Sequence, residues 1–446
     1  EELNFQMSGE VDESTAQAAG RMVGAETIIL GSFTGLTNMH RLTVKALAVE
    51  TAEVQGMFNK VISGSSAIKG LSARTTKSGA GLYSNGKFEG ALGLVESVNW
   101  IRLNGVNNGN YVIVLGRDEA APPVNLSFGS RRISVTLKSE GEERSVSYDT
   151  PSRPSASLFT IGTGVTFNLE DGIALVGLAV DSRPLVKVKG GVFVMNGGSI
   201  RDNSLSVYMK YTDNSFGNLS WDKGEIEGGG VLLESGNFIL NNGIIKGNSA
   251  QIGGGISIGE NGILIINGGA VSGNSVQEKG GGVYSTGSFT MRGGIISDNS
   301  SSVNFWDNYG GGVAVNGKSF NMENGVISGN SSSWYGGGIG IEKGNFYMRG
   351  GSISGNLAIF GCGVYCNSSD GARFIKSGGI IYGTEATKSL ANRVYGNYAG
   401  MGYAVFNYVG NSLAWERNTT AGKDCSMDSD NYWRFGNSWE GESSTH

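Results

Sequence analysis

From about residue 190 onward the chain alternates apolar and polar residues in short runs broken by glycine pairs and triplets. In GGGVAVNGKSFNMENGVISGN (310–330), Val313 and Val315, then Phe320 and Met322, then Ile327 are apolar, with polar residues between them. Alternation at a period of two predicts strands with one buried face. The pattern returns at 228–248, 253–274, 280–299 and 335–356. A degenerate copy, GCGVYCNSSDGARFIKSGGIIYG, follows at 361–383, and a partial one, VKGGVFVMNGGSIRDN, precedes at 188–203. The period is about 25 to 31 residues, with one longer gap, which is the signature of a repeat architecture. Three short strands and three glycine turns per period predict one coil of a right-handed parallel β-helix, an all-β solenoid. Neighbouring coils would pair at about 4.8 Å. The glycine content excludes helical repeats.

Stacked coils place equivalent residues above one another. One interior ladder is expected to run through Phe193, Phe238, Leu264, Phe289, Phe320, Phe346 and Phe374. A second holds Met195, Leu240, Ile266, Met291, Met322 and Met348, and a third Ile200, Ile245, Val271, Ile296, Ile327, Ile353 and Ile381. At one turn Asn203, Asn248, Asn274, Asn299, Asn330 and Asn356 align, so their amides can hydrogen-bond along the axis. These columns read as core.

The flanks differ in character. Residues 1–85 read as a small N-terminal β-rich module, with a short helix in DESTAQAAGRMVG and strands in TIILGSFTG, RLTVKALAVE, EVQGMFNKVIS and SAIKGLS. KSGAGLYSNGKFEG resembles a loop or linker. Residues 86–110 hold a capping helix, since ALGLVESVNWIRLNG places Leu92, Leu94, Val95, Val98, Trp100 and Ile101 broadly on one side. An open solenoid end needs such a cover. Residues 111–190 are expected as irregular first coils with prolines in their turns, 191–400 as regular repeats and 401–446 as a last coil and cap.

Composition narrows the function classes. The 446 residues include 75 Gly and only 5 Pro, and 39% hydrophobic residues argue against disorder. With 34 basic and 39 acidic side chains the net charge is -5, and no Lys/Arg cluster tracks phosphates, so nucleic acid is not an expected partner. No apolar run is long enough to span a bilayer. The start at Glu1, with neither an initiator Met nor a signal peptide, suggests a processed product, although a trimmed chain would look the same. Cys362, Cys366 and Cys425 are too few for a disulfide framework and lack metal-ligand spacing. Cys362 and Cys366 sit on one extended segment, too far apart to bond to each other. Cys425 is left either to close on one of them or to remain free.

The repeats resemble those of secreted or surface parallel β-helix proteins of bacteria, whose copies read approximately GGGVYV-x-GTFTMSGGTISGN. Two further segments carry the resemblance: the lead-in from Ser157 to Leu169 and RNTTAG from Arg417 to Gly422. It covers roughly residues 90–440 and implies a parallel β-helix and an extracellular or cell-surface location. It implies little about function.

Candidate chemistry is sparse. His40 and His446 are the only histidines, so neither a Ser-His-Asp triad nor a His-metal site is available on the solenoid. Acids for a hydrolytic pair exist in Asp213, Asp222, Glu225, Glu227, Asp298 and Asp307, scattered through turns and inserts. No cofactor or metal is expected. The period stretches at 204–227 and 300–309, and insertions in solenoids collect on one edge. These inserts and the shorter neighbours carry Tyr208, Tyr211, Phe216, Trp221, Phe305, Trp306, Tyr309, Trp334, Tyr335 and Phe360. Such rings either stack on sugars or anchor a protein partner, or else fold back over the wall as local packing. The expectation is therefore a non-enzymatic structural or adhesive solenoid outside the cell. Its partners would be a surface glycan or protein, or further copies of itself assembling into filaments. The alternative is a carbohydrate-active enzyme, a polysaccharide lyase or a glycoside hydrolase, on the same fold.

Overall fold

The computed structural model describes residues 80–382 apart from 153, 180–181, 206–208, 211–219, 222–226 and 303–307. It also describes 27–36, 39–48, 54–63, 392–394, 405–408 and 439–440. The chain divides into two compact units, residues 1–79 and residues 80–446.

In the first unit, strands Thr27–Leu36, Met39–Ala48 and Val54–Ser63 form an antiparallel meander. The expected helix at 12–24 and the SAIKGLS strand lie outside the described residues.

Among its described residues the second unit is a parallel β-helix of about nine turns with one short α-helix. That helix, Leu94–Asn104, buries Leu94, Val98 and Ile101, while Leu92, Val95 and Trp100 pack against the same core. Its ends are closed by the first coils. The Leu94 N–H donates to the Glu119 carboxylate at 2.8 Å, and Arg131 donates to the Gly105 and Arg102 carbonyls at 2.6 and 2.9 Å. A carboxylate at the helix start and a guanidinium at its end also oppose the helix dipole favourably. The expected linker before it is instead a hairpin, Gly81–Ser84 with Lys87–Gly90, joined antiparallel to Gly109–Leu115. Asn85 and Gly86 take φ of 47° and 86°, the two positive values a tight two-residue hairpin turn demands.

The interior ladders are in register. Phe193, Phe238, Leu264, Phe289, Phe320, Phe346 and Phe374 pair coil by coil, and the column extends back to Phe167. Its rings stack, with Phe289 and Phe320 4.2 Å apart at 6°. The methionine column ends at Lys376, which is in register with Met348 and only 1% exposed.

The coil differs from the expected three strands in two ways. Its first two strands fuse in most coils into one run such as Val231–Leu240 or Ile339–Met348. Gly236 and Gly344, at φ of 92° and 88°, sit within these runs. The connection after the aligned Asn, read as a turn, forms a further short strand, as in Ser249–Ile252, Ser275–Lys279 and Ser331–Ser332. Among the described residues three walls of 17, 11 and 6 strands result, parallel apart from the hairpin in the largest and Trp439–Glu440, which closes the second antiparallel to Ile380–Ile381.

The asparagine column forms a buried amide ladder. Each Nδ2 donates to the next Oδ1 from Asn248 through Asn274, Asn299, Asn330 and Asn356 to Asn392, at 2.9–3.0 Å. Each backbone N–H donates to the same oxygen, and the second Nδ2 hydrogen reaches a carbonyl one coil back, Val271 in the case of Asn299. Asn203 aligns but does not join. Its Nδ2 turns to the Arg183 and Gly229 carbonyls, and Asn248 Oδ1 is left without a partner. The third glycine of each triplet makes room for this column: a Cβ on Gly312 would lie 2.6 Å from the Gly338 carbonyl oxygen and 3.0 Å from Asn330.

The largest wall has a distinctive outer face. After the glycine bend, and up to the coil where Arg373 follows Asn345, its outward residues come in pairs, one pair per coil: Asn110 and Val112, Ser134 and Thr136, Thr166 and Asn168, Val192 and Val194, Asn237 and Ile239, Ile263 and Ile265, Ser288 and Thr290, Ser319 and Asn321, Asn345 and Tyr347. None is charged. Beside them runs a rim column of Lys138, Glu170, Asn196, Asn241, Asn267, Arg292 and Glu323. Within it Asn267 donates to Asn241, Asn241 to Asn196 and Asn196 to Glu170, at 2.8–2.9 Å.

Candidate functional site: an aromatic edge

Chemistry-bearing side chains gather where each coil enters its glycine triplet. The residue just before the triplet stacks through isolated parallel bridges from Glu227 to Ile252, and from Lys279 through Tyr309 and Tyr335 to Phe360. The outward residue just after it forms an adjacent column containing Ser257, Tyr284, Ala314, Gly340, Tyr365 and Phe406. The chain turns sharply between the two positions, because Gly280, Gly310, Gly336 and Gly361 take φ of 61–70°. Side chains from the first column therefore fold over the second, and Tyr284, Tyr309, Tyr365 and Phe406 make a packed cluster apart from the main core.

The rings largely face one another. Tyr335 and Phe360 stack at 5.5 Å and 23°, Tyr365 and Phe406 at 5.6 Å and 10°, and Trp334 lies 6.4 Å from Phe360 at 16°. Faces used this way leave ring edges, which carry the positive end of the aromatic quadrupole, for any incoming group.

A polar set lies at one end of the cluster. Lys279 Nζ is 2.9 Å from Glu342 Oε2 and 5.4 Å from the centre of the Tyr309 ring. Asn316 Nδ2 donates to the Tyr284 hydroxyl at 3.2 Å, and Ser257 Oγ donates to Glu227 Oε2 at 2.9 Å. Burial pushes the Tyr284 phenol above its ordinary range. The Asn316 hydrogen bond opposes that shift, Glu227 and Glu342 reinforce it, and Lys279 works against it. Tyr284 is thus a protonated phenol at neutral pH, able to donate as well as accept.

Of the residues singled out in the sequence, the structure brings Tyr309, Trp334, Tyr335 and Phe360 together. Trp221 is in register with Met209 in a two-stranded antiparallel ribbon. Tyr208, Tyr211, Phe216, Phe305 and Trp306 lie outside the described residues, as do Asp213, Asp222, Glu225, Asp307 and Cys425. Asp298 occupies a turn at φ of 56°. Sequence reasoning missed Lys279, Tyr284, Asn316, Glu342 and Tyr365. A signal was present, since Tyr284 and Tyr365 stand in the same place of GGGVY and GCGVY.

Cys362 and Cys366 are free, buried thiols. Desolvation raises them to about 12 and about 11, which makes them poor nucleophiles. Among the described residues no group of three or more His, Cys, Asp or Glu side chains is placed to hold a metal ion. No described helix is long and apolar enough to cross a membrane. In comparison with known proteins the chain matches no family model, no curated protein and no solved structure.

Proposed function

We propose that the protein is a non-enzymatic structural solenoid, displayed outside the cell, whose aromatic edge contacts a neutral, hydroxyl-rich glycan. One observation carries this reading: the rings and the Lys279, Tyr284, Asn316 and Glu342 set share a single edge. The interior columns behind it are apolar or amide-paired up to Lys376, which ends the methionine column. Ring edges attract hydroxyl oxygens, while a phenol, an amide and an ion pair offer donors and acceptors for sugar hydroxyls. The charge balance favours a neutral ligand. Lys279 faces Glu342 and Glu227 acts on the same phenol, so a uronate would meet net repulsion. An extracellular or bacterial surface location rests on the resemblance of the repeats.

The test is a glycan array with the intact chain and with Trp334→Ala and Tyr335→Ala variants. Binding to neutral glycans that both variants lose supports the reading. Binding that neither variant alters, or none at all, refutes the role of the edge. A second reading, a glycoside hydrolase, has its own supporting observation: Glu227 and Glu342 both act on Tyr284. It predicts new reducing ends from a polysaccharide, lost on Glu342→Gln.

A further inference from the structure

The outer face of the 17-stranded wall between its glycine bends and the rim column has no assigned role, and its composition is unusual. A protein surface ordinarily carries roughly 25–35% charged residues. Along the outward pairs that follow the glycine bends, no position is charged from Asn110 and Val112 to Asn345 and Tyr347, over roughly 40 Å at about 4.8 Å per coil, whereas Lys187, Lys189 and Glu234 lie on the same strands before the bend. The apolar part is centred. Val192 and Val194, Ile239, and Ile263 and Ile265 occupy three successive coils, and Ile263 is 45% exposed. Ser, Thr and Asn fill the adjoining coils on either side, and charges flank the pairs, the rim column on one side and Lys189, Glu234, Glu260 and Lys318 near the glycine bends on the other. An uncharged, apolar-centred field beside a charged rim is the anatomy of a protein interface.

We infer that this wall is the docking face for a second copy of the chain, packed face to face and antiparallel. The symmetry of the pattern selects the partner. Consider a two-fold axis lying between the two faces, along the Ile239 strand. It sets Ile239 on Ile239, Val194 on Ile265 and Val192 on Ile263, so each apolar coil meets an apolar coil. It also sets Thr166 and Asn168 against Ser288 and Thr290. The same axis keeps both rims on one side and runs them in opposite directions. Glu170 then meets Arg292, Lys138 meets Glu323, and Asn196 meets Asn267, with Asn241 on the axis. Shifted by one coil about the Asn241–Asn267 step, Glu170 would meet Glu323, a like-charge clash. Within one chain Arg292 already lies 3.4 Å from Glu323, so the pairing extends an existing alternation of sign. The face and its rim supply about the 20–30 residues a side typical of a stable interface. Sheets pack so at about 10 Å, and an isologous contact needs only one surface. This inference is independent of the aromatic edge.

The experiment is sedimentation equilibrium of the full chain, wild type and variants, with circular dichroism to confirm that each is folded. Ile239 points outward, so Ile239→Arg leaves the core columns in place. The wild type is expected to be a dimer, and Ile239→Arg to weaken it by roughly tenfold or more, the effect of charging the centre of an interface. Glu170→Arg and Arg292→Glu are each expected to weaken the dimer severalfold, and the double exchange to restore it. A folded wild type that stays monomeric, or a dimer indifferent to Ile239→Arg, overturns the inference. A monomer retained by an insoluble polysaccharide through this face overturns it in favour of a glycan occupant.

Discussion

Replacing Asn299 by alanine removes one rung of the buried amide ladder, and its cost follows from counted contacts. The Asn299 Oδ1 accepts the Asn274 N–H at 3.0 Å and the Asn274 Nδ2 at 2.9 Å. Its Nδ2 donates to Val271 O and to Asn330 Oδ1, both at 2.9 Å. All four bonds vanish, while Asn330 Oδ1 keeps the Asn299 N–H. At a net value of about 1 kcal/mol each, the loss is about 4 kcal/mol, more where water cannot reach the orphaned Asn274 N–H. That is a large part of the 5–15 kcal/mol typical of a folded domain. Asn267 is the control. It too donates to a stacked amide, Asn241 at 2.8 Å, but it is exposed, so water replaces the bond and Asn267→Ala should cost about 0.5 kcal/mol or less. Urea denaturation followed by circular dichroism reads both, with hydrogen exchange of the Asn274 and Asn299 amides checking that the loss is local to those coils. Equal losses in the two variants would refute the claim that burial, not stacking itself, gives the ladder its strength.

Other expectations follow from the same geometry. Phe320→Ala opens a cavity in a fully buried stack and should cost about 3–5 kcal/mol in urea, well above Trp334→Ala on the half-buried edge. Gly310→Ala, at φ of 66°, places a Cβ against the Val313 carbonyl and should lower the melting temperature more than Gly273→Ala, whose Cβ meets open space at a similar φ. Cys362 and Cys366 should resist thiol reagents in the native chain and react once it is unfolded. Burial lifts their folded pKa values above the ordinary thiol value of 9.0, so the native state keeps protons that the unfolded chain releases. Their contribution is complete below pH 9.0 and is lost as pH rises toward about 11 and 12, a decline that replacing both by alanine should flatten.

The fold was legible because the solenoid writes one instruction many times. Phe320 alone is ambiguous, but a phenylalanine, methionine or isoleucine at the same offset in successive copies fixes both the face and the register. The asparagine column was legible for the same reason, except at Asn203. There the amide turns toward Arg183, placed by an irregular early coil, and toward Gly229 in the first glycine triplet. Asn392 was missed because the residues before it stretch the period. The hairpin at Asn85 and Gly86 was written in its Asn-Gly turn, but strands of four residues gave little alternation to see. The short strand after each Asn was hidden by its polar side chains, since Ser300–Ser301 and Ser331–Ser332 show no apolar alternation.

The edge was half legible. Aromatic content pointed to Tyr309, Trp334, Tyr335 and Phe360, yet the polar set depends on which residues the triplet turn brings across from one coil to another. Lys279 meets Glu342 over 63 positions of sequence. Asn316 reaches Tyr284 over 32. Spacing within one repeat does not reveal pairs of that kind.

The most direct test of the central claim is one incubation read two ways. The intact chain is mixed with immobilised neutral polysaccharides, and the retained protein and the released sugar are both measured. The account predicts retention that falls on Tyr335→Ala, with neither new reducing ends nor unsaturated products in the supernatant. Release of such products, abolished by Glu342→Gln, would contradict it and make the edge an active site.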